Sequence, residues 1–274
     1  MIRDITIGQY YPADSVLHKL DPRVKIVGTL MYLVSLFLMQ SVLGYLIACM
    51  FLLFCIKLSK VPASFILRGL RPIIFLLLFT VVLNLFMTAN GEVLVSFWKL
   101  RITQGGLRTA VFMAVRLVFL IMGSSLMTLT TTPNALTDGI ESLLYPFSKI
   151  KLPVHEIAMM MSIALRFIPI LLEETDKIMK AQIARGADLE SGNIFQRVKS
   201  MVPILVPLFI SAFRRAYDLA LAMEARCYRG GTGRTKMKPL IYKKRDTLAY
   251  VMMLVYLVAL VGIGRYVPFT IWIF

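Results

Sequence analysis

Residues 24–58 read VKIVGTLMYLVSLFLMQSVLGYLIACMFLLFCIKL, two apolar runs that are separated only by Gln40 and Ser41. A helix that crosses the hydrocarbon layer needs about 20 mostly apolar residues, because the layer is about 30 Å thick and a helix rises about 1.5 Å per residue. Each run is close to that length, and the break between them is long enough only for a turn. The sequence therefore predicts a tight hairpin of two membrane-spanning helices.

Three further runs have the same character along the chain. The predicted spans are 24–39, 42–58, 72–89, 107–130 and 248–263. The composition agrees, since 58% of the 274 residues are hydrophobic, 17% are charged and the mean hydropathy is +0.75. These values exclude an ordinary soluble globular domain. The predicted fold class is an all-α integral membrane protein with about five transmembrane helices.

The chain is strongly basic, with a formal net charge of +16. Such a charge also occurs in nucleic-acid-binding proteins, but no nucleic-acid motif accompanies it here. The basic residues lie between apolar runs, as in membrane proteins that retain lysine and arginine on the cytoplasmic side. Arg23 and Lys25 lie at the start of the first span, and four more basic residues lie at the end of the second span or between the second and third spans: Lys57, Lys60, Arg68 and Arg71. The expected partner is therefore the lipid membrane and not nucleic acid, with the N-terminus inside the cell and the C-terminus outside.

Residues 132–245 differ from the rest because charges of both signs return and the apolar residues become periodic. The predicted organisation is thus 1–131 with the first four transmembrane helices, 132–245 as a cytoplasmic domain of long crossing amphipathic helices, and 246–274 with the last transmembrane helix. Two long helices are predicted, at 155–185 and 207–226, with a turn at 186–199. The apolar segment 201–213 is short and contains two prolines, so we expect an interfacial segment and leave a sixth span as the alternative.

The two long helices end on similar sequences, Ala181-x-x-Ala184-Arg185 and Ala222-x-x-Ala225-Arg226. Small residues at this spacing allow another helix to approach closely, and arginine offers five donors in a fixed geometry. The plainer interpretation is a helix cap, which Gly186 suits and Cys227 suits less well. Because the pattern occurs twice, we predict two contact sites for a paired partner. They comprise Ala184, Arg185, Gly186, Ala225, Arg226 and Cys227.

The sequence contains no recognisable catalytic or nucleotide-binding pattern. The glycine-rich segment 230–236 lacks the order of the phosphate-binding loop and is predicted to be a flexible basic linker. His18 and His155 have no partnered cysteine or acidic cluster. The chain is therefore predicted to be non-enzymatic, with no catalytic residue, no cofactor and no metal site.

Two features near the membrane remain open at this point. Arg116 lies inside the fourth predicted span, where an arginine is costly unless it reaches the interface or is paired. The aromatic residues of 266–274 suit an interfacial anchor.

Five segments in order resemble one known family. They are LTTTP at 129–133, LLYPF at 143–147, LRFIPILLEE at 165–174, AQIARG at 181–186 and AMEAR at 222–226. Together they are similar to the transmembrane T component, EcfT, of energy-coupling factor transporters, over about a hundred residues. Cys227 departs from the glycine that is usual in the second motif.

The resemblance implies a prokaryotic cell-membrane protein that links two cytoplasmic ATP-binding-cassette ATPases to a membrane S component, which captures a vitamin or metal ion. It implies that Arg185 and Arg226, with the flanking alanines, form the tips of two coupling helices, one seated in each ATPase. ATP and Mg²⁺ would then bind to the ATPases. Closure of the ATPases would draw the tips together and reorient the S component.

The alternative is a self-contained secondary transporter or channel. Such a protein is expected to place paired ionisable residues or broken helices near the middle of the membrane. Apart from Arg116, these features are missing from the predicted spans.

Overall fold

A computed structural model of the chain describes residues 10–39, 41–87, 93–97, 100–150, 153–187, 193–231 and 237–266. For residues 93–97, 100–102, 194, 197 and 263–266, only the backbone is described. Of the predicted aromatic anchor at 266–274, residues 267–274 lie outside the described residues.

The described residues form nine α-helices and two short strands. They are α1 (Pro22–Leu38), α2 (Val42–Ser59), α3 (Ala63–Arg68), α4 (Ile74–Met87), β1 (Val93–Phe97), β2 (Leu100–Thr103), α5 (Gln104–Thr130), α6 (Pro133–Leu144), α7 (Val154–Ala184), α8 (Ile194–Ala225) and α9 (Lys244–Tyr266). Short 3₁₀ turns precede α4, at Arg71–Ile73, and follow α6, at Tyr145–Ile150. The all-α fold class is confirmed.

The two strands lie between the third and fourth predicted spans, where the sequence analysis predicted no strand. They pair antiparallel, with Val95 opposite Ile102 and Phe97 opposite Leu100, and the register is irregular between Val93 and Val95. The stretch is rich in β-branched and aromatic residues, which favour strands. The hairpin joins α4 to α5.

The described chain divides into two compact units, one of residues 10–139 with 240–266 and the other of residues 140–231 with 237–239. The predicted boundaries at 131/132 and 245/246 concern membrane placement and stay a prediction.

In the first unit, α1 and α2 form the predicted hairpin. Ser41 begins α2, because its hydroxyl oxygen accepts a hydrogen bond from the amide of Gly44. Buried residues from both helices and from α9 make one core: Tyr32, Leu36, Met39, Tyr45, Ala48, Leu52 and Tyr256. The ring of Phe51 stacks on that of Tyr256, with 4.3 Å between centroids.

A cluster of polar residues connects several helices by hydrogen bonds at one end of this unit. The carboxylate of Asp246, which is 2% exposed, accepts hydrogen bonds from the amides of Asp21 at 2.8 Å and Lys243 at 2.7 Å. The amine of Lys25 donates to the carbonyl of Thr130 at 2.8 Å. The beginnings of α1 and α9 and the end of α5 therefore lie at the same end of the unit.

Arg116 lies towards the opposite end, and its role is structural. Its Nε donates to the hydroxyl of Tyr45 at 2.8 Å, and its Nη2 donates to the carbonyl of Met39 at 3.2 Å, just beyond the end of α1. Arg116 is therefore paired with a tyrosine hydroxyl and with the carbonyl at the end of α1, which is one of the two ways in which the cost of an arginine in a span is avoided.

Five helical segments are long and apolar enough to cross a membrane, as predicted, and four of them correspond to the predicted spans at 42–58, 72–89, 107–130 and 248–263, whereas Val154–Ala184 takes the place of 24–39. They are Val42–Ser59, Ala63–Met87, Gln104–Thr130, Val154–Ala184 and Lys244–Gly262. At 17 residues, α1 is slightly shorter than these segments. By composition α7 qualifies because residues 154–172 contain few charges.

In the second unit, α7 confirms the predicted helix at 155–185, whereas the predicted start of the next helix at 207 is wrong. The helix begins at Ile194 and continues through Pro203 and Pro207. Pro207 has no amide to donate to the carbonyl of Pro203, four residues earlier. That carbonyl instead accepts a hydrogen bond from the side-chain amide of Gln182 on α7, at 3.3 Å. The predicted turn at 186–199 is correspondingly shorter, and 201–213 lies within α8.

Candidate functional site

The end of α7 forms a tight cap. Arg185 follows the last helical residue, Ala184, and Gly186 adopts a positive φ of 87°. The amide of Ala187 donates to the carbonyl of Gln182 at 3.0 Å. This bond from the second residue after the cap to a carbonyl five positions earlier defines a Schellman motif.

The end of α8 repeats this geometry 41 residues later. Cys227 has a positive φ of 53°, and the amide of Tyr228 donates to the carbonyl of Met223 at 3.0 Å. Gln182 and Met223 are equivalent under the shift of 41, as are Gly186 and Cys227. The two sequence motifs therefore end in the same backbone structure.

This finding corrects one argument made from the sequence. The absence of glycine at Cys227 suggested that capping explains the second motif less well than the first. The structure shows the same cap at both ends, although a side chain at positive φ costs about 1 kcal/mol or more. Capping alone is therefore an adequate account of the backbone at both sites, and the functional argument depends on what the side chains offer.

The six predicted site residues are all exposed: Ala184, Arg185, Gly186, Ala225, Arg226 and Cys227. In the described part of the chain, neither Arg185 nor Arg226 makes a hydrogen bond or ion pair through its guanidinium group. Asp188, which the sequence offers as a local partner for Arg185, lies outside the described residues. Each helix end therefore presents a cation and a small residue to the surroundings.

Alanine also recurs every four residues along α8, at 212, 216 and 220, but these residues do not build the contact with α7. Ala216 and Ala220 are exposed, and Ala212 is half-buried. The recorded polar contacts between the helices come instead from Gln182 and from Glu174, whose carboxylate accepts hydrogen bonds from Ser211 and Arg215. The small-residue faces near the helix ends stay available to a partner.

Sequence reasoning missed the Glu174 contact because its partners lie about 40 residues away. Periodicity within one helix predicts which residues share a face, but it does not specify which residues on another helix they meet. The signal that was available is the opposite charge of Glu174 and Arg215 at corresponding positions of the two motifs.

Taken together, the fold and the two helix ends define a polytopic helical membrane protein. It carries two equivalent exposed cationic helix ends between its predicted fourth and last spans.

Comparison with known proteins identifies the family. Residues 13–237 match the family model described as CbiQ, cobalt transport protein. A protein of Clostridium kluyveri named energy-coupling factor transporter transmembrane protein EcfT is 62% identical over 256 residues, covering 93% of this chain and 95% of the relative. Proteins of the same name from Thermosediminibacter oceani and Bacillus subtilis are 53% and 49% identical, covering 99% and 93% of this chain and 100% and 96% of the relatives.

The chain belongs to the EcfT family, the transmembrane components of energy-coupling factor transporters. It is a multi-pass membrane subunit of a transporter complex with other components. The alternative of a self-contained secondary transporter or channel finds no support in these relatives.

Proposed function

We infer that this chain couples ATP hydrolysis by two cytoplasmic ATP-binding-cassette ATPases to a membrane S component that captures a vitamin or metal ion. The observation that carries the inference is the duplication of an exposed cationic helix end, with the same cap, at a separation of 41 residues. Two equivalent contacts on one chain suit two equivalent copies of a partner.

The chemistry of the ends supports docking into a groove. A guanidinium group fits carboxylates and carbonyls with several donors at once, and an adjacent alanine allows close approach. The Schellman cap holds the last turn in a fixed geometry, so the arginine is presented from a rigid base. In this account Arg185 and Arg226 each enter one ATPase.

The chain itself is non-catalytic in this proposal. ATP and Mg²⁺ bind to the partner ATPases, and the chain contributes no cofactor or metal site of its own. Closure of the ATPases moves the two ends, and the helices transmit that movement to the S component.

The side of the membrane follows from charge. The polar cluster places the beginnings of α1 and α9 at one end of the first unit, and the antiparallel hairpin brings the end of α2 there as well. Basic residues concentrate at that end: Lys19, Arg23, Lys25, Lys57, Lys60, Lys243, Lys244 and Arg245. Cytoplasmic segments retain lysine and arginine, so this end and the N-terminus are cytoplasmic in the proposal.

The same arrangement bears on α7. Since α5 ends and α9 begins at the same end of the unit, the chain between them crosses the membrane an even number of times or not at all. If α7 crossed, another segment would have to return, and the charged residues of α8, which include Arg214, Arg215 and Asp218, disfavour that helix as the returning span. This parity supports a cytoplasmic position for both coupling helices.

The S component has a suitable surface on α8. Large apolar side chains follow one face of the helix and are well exposed, including Phe195, Phe209, Phe213 and Tyr217. A continuous exposed apolar surface of this kind is typical of an interaction site. We assign it to the S component, which makes α8 the helix that contacts both an ATPase, at its end, and the S component, along its side.

The test is co-expression with candidate ATPases and an S component, with the double variant Arg185→Glu/Arg226→Glu. We expect this variant to stay in the membrane but to lose both ATPase co-purification and ATP-dependent uptake. The matched control is Lys180→Glu/Lys199→Glu, which reverses exposed charges on the same helices away from the two arginines. If the tip variant retains ATPases and uptake, the arginines act only at helix caps and the proposal is wrong.

A further inference from the structure

A polar contact joins α7 to α8 well before either helix ends. Oε2 of Glu174 accepts hydrogen bonds from Nη2 of Arg215 at 2.8 Å and from Nε at 3.2 Å, and Oε1 accepts one from the hydroxyl of Ser211. Both oxygens of the carboxylate are therefore engaged by a single turn of α8. We call Glu174, Ser211 and Arg215 the clasp.

The clasp lies at equivalent positions of the two helices. Glu174 is 11 residues before Arg185, and Arg215 is 11 residues before Arg226. At the helical rise, each arm from the clasp to its arginine is about 17 Å long. The clasp therefore divides the pair into two arms of equal length.

The direction of the helices follows from the second contact. Gln182 on α7 meets Pro203 on α8, whereas Glu174 meets Ser211, so the partner number on α8 rises as the number on α7 falls. The helices therefore cross antiparallel, and the two arms extend in opposite directions from the clasp. Their ends are at most about 33 Å apart by the same rise.

The charges suit a crossing of two related helices at equivalent positions. When two helices of similar sequence cross antiparallel, equivalent residues of the two helices lie opposite each other at the crossing point. If these residues carried the same charge, they would repel each other. In this chain the counterparts carry opposite charges at three positions: Glu173 and Arg214, Glu174 and Arg215, and Lys177 and Asp218. The two helices thus have similar sequences at their ends, whereas their charges at the crossing are opposite.

We propose that the clasp is the pivot of the two coupling arms: Glu174 and Arg215 are positioning residues that fix the crossing point while the ends move with the ATPases. This inference rests on the proposed function. Movement of one end is transmitted to the other only if the crossing point does not slide. Two arginine donors on one carboxylate oxygen and a hydroxyl on the other oppose sliding.

The experiment measures ATPase activity and uptake separately in the reconstituted complex, for Glu174→Gln and for the exchange Glu174→Arg/Arg215→Glu. We expect Glu174→Gln to keep the ATPases bound and their activity within about twofold, while uptake falls at least fivefold, because hydrolysis is no longer transmitted. The exchange restores the ion pair with reversed polarity and should recover at least half of the lost uptake. The variant Glu156→Gln, which removes an exposed carboxylate at the beginning of α7 far from the crossing, is the control and should behave as wild type.

Unchanged uptake in Glu174→Gln overturns the proposal, and so does loss of the bound ATPases in that variant, because the clasp would then serve assembly alone. Failure of the exchange to recover uptake also overturns it. Failure of the proposed function is distinguishable, since it appears as retained ATPases and uptake in Arg185→Glu/Arg226→Glu, whatever the clasp variants do.

Discussion

Gly186 and Cys227 occupy equivalent left-handed positions with different chemistry. Glycine adopts positive φ without steric cost, whereas a residue with a Cβ atom is strained there. A side chain added at position 186 should therefore lower the stability of its helix end, whereas removal of the side chain at position 227 should raise the stability of the other end.

We expect Gly186→Ala to destabilise the end of α7 by about 1 kcal/mol and Cys227→Gly to stabilise the end of α8 by about the same amount. Hydrogen exchange of two amides reports this directly, since Ala187 and Tyr228 donate the closing bonds. Faster exchange at Ala187 in the first variant and slower exchange at Tyr228 in the second are the expected results. Slower exchange at Ala187 in Gly186→Ala would contradict the assignment.

Arg116 provides a second prediction at this scale. Arg116→Leu leaves the Tyr45 hydroxyl and the Met39 carbonyl without their donor, and hydrogen bonds to charged groups are worth about 1.5–3 kcal/mol each. We expect a clear decrease in the thermal midpoint of the purified protein and a smaller decrease for Tyr45→Phe. Arg108→Leu, at an exposed position of the same helix, is the control. An equal midpoint for Arg116→Leu and the control would show that the cap contributes nothing.

Helix α8 has two proposed contact surfaces, which are its end, for an ATPase, and the apolar face along its side, for the S component. Phe209 is 61% exposed and Phe213 is 73% exposed on that face. Because these side chains add little to the core of the unit, changing them should affect a partner more than the fold.

We expect Phe209→Asp to abolish co-purification of the S component while the ATPases remain bound, since a buried unpaired carboxylate is costly at an apolar interface. Gln196→Asp introduces the same side chain at an exposed polar position of α8 and serves as the control. Retention of the S component by Phe209→Asp would move its binding site to another surface.

How far the elements follow from the sequence depends on the range of the interactions. Local apolar runs and caps predicted the α1–α2 hairpin, α7 and the two helix ends. The start of α8 was missed because a contact from Gln182 on α7 satisfies the carbonyl that Pro207 leaves free. The clasp was missed for the same reason, because it forms only when two helices cross.

The whole molecule has a predicted orientation that labelling can test. In a variant without Cys49, Cys55 and Cys227, single cysteines replace exposed residues at Gln104, Lys180 or Lys244. We expect Gln104→Cys to react with an impermeant maleimide in intact cells, because the start of α5 lies opposite the basic end. Lys180→Cys and Lys244→Cys should react only after permeabilisation.

Reaction of Lys180→Cys in intact cells would show that α7 crosses the membrane, as its length and composition allow. This result would contradict the proposed cytoplasmic position of α7 and α8. Unreactive Lys180→Cys together with reactive Gln104→Cys fits the parity argument made from α5 and α9.

The most direct measurement of the central claim is site-specific cross-linking in the assembled complex. A photoreactive amino acid replaces Ala184, Ala225 or both, with Leu248 on the exposed face of α9 as the control position. The account predicts one ATPase adduct from each single position, an adduct with two ATPases from the double replacement, and none from Leu248. Absence of an ATPase adduct from either helix end would contradict the claim that the two ends are a paired coupling site.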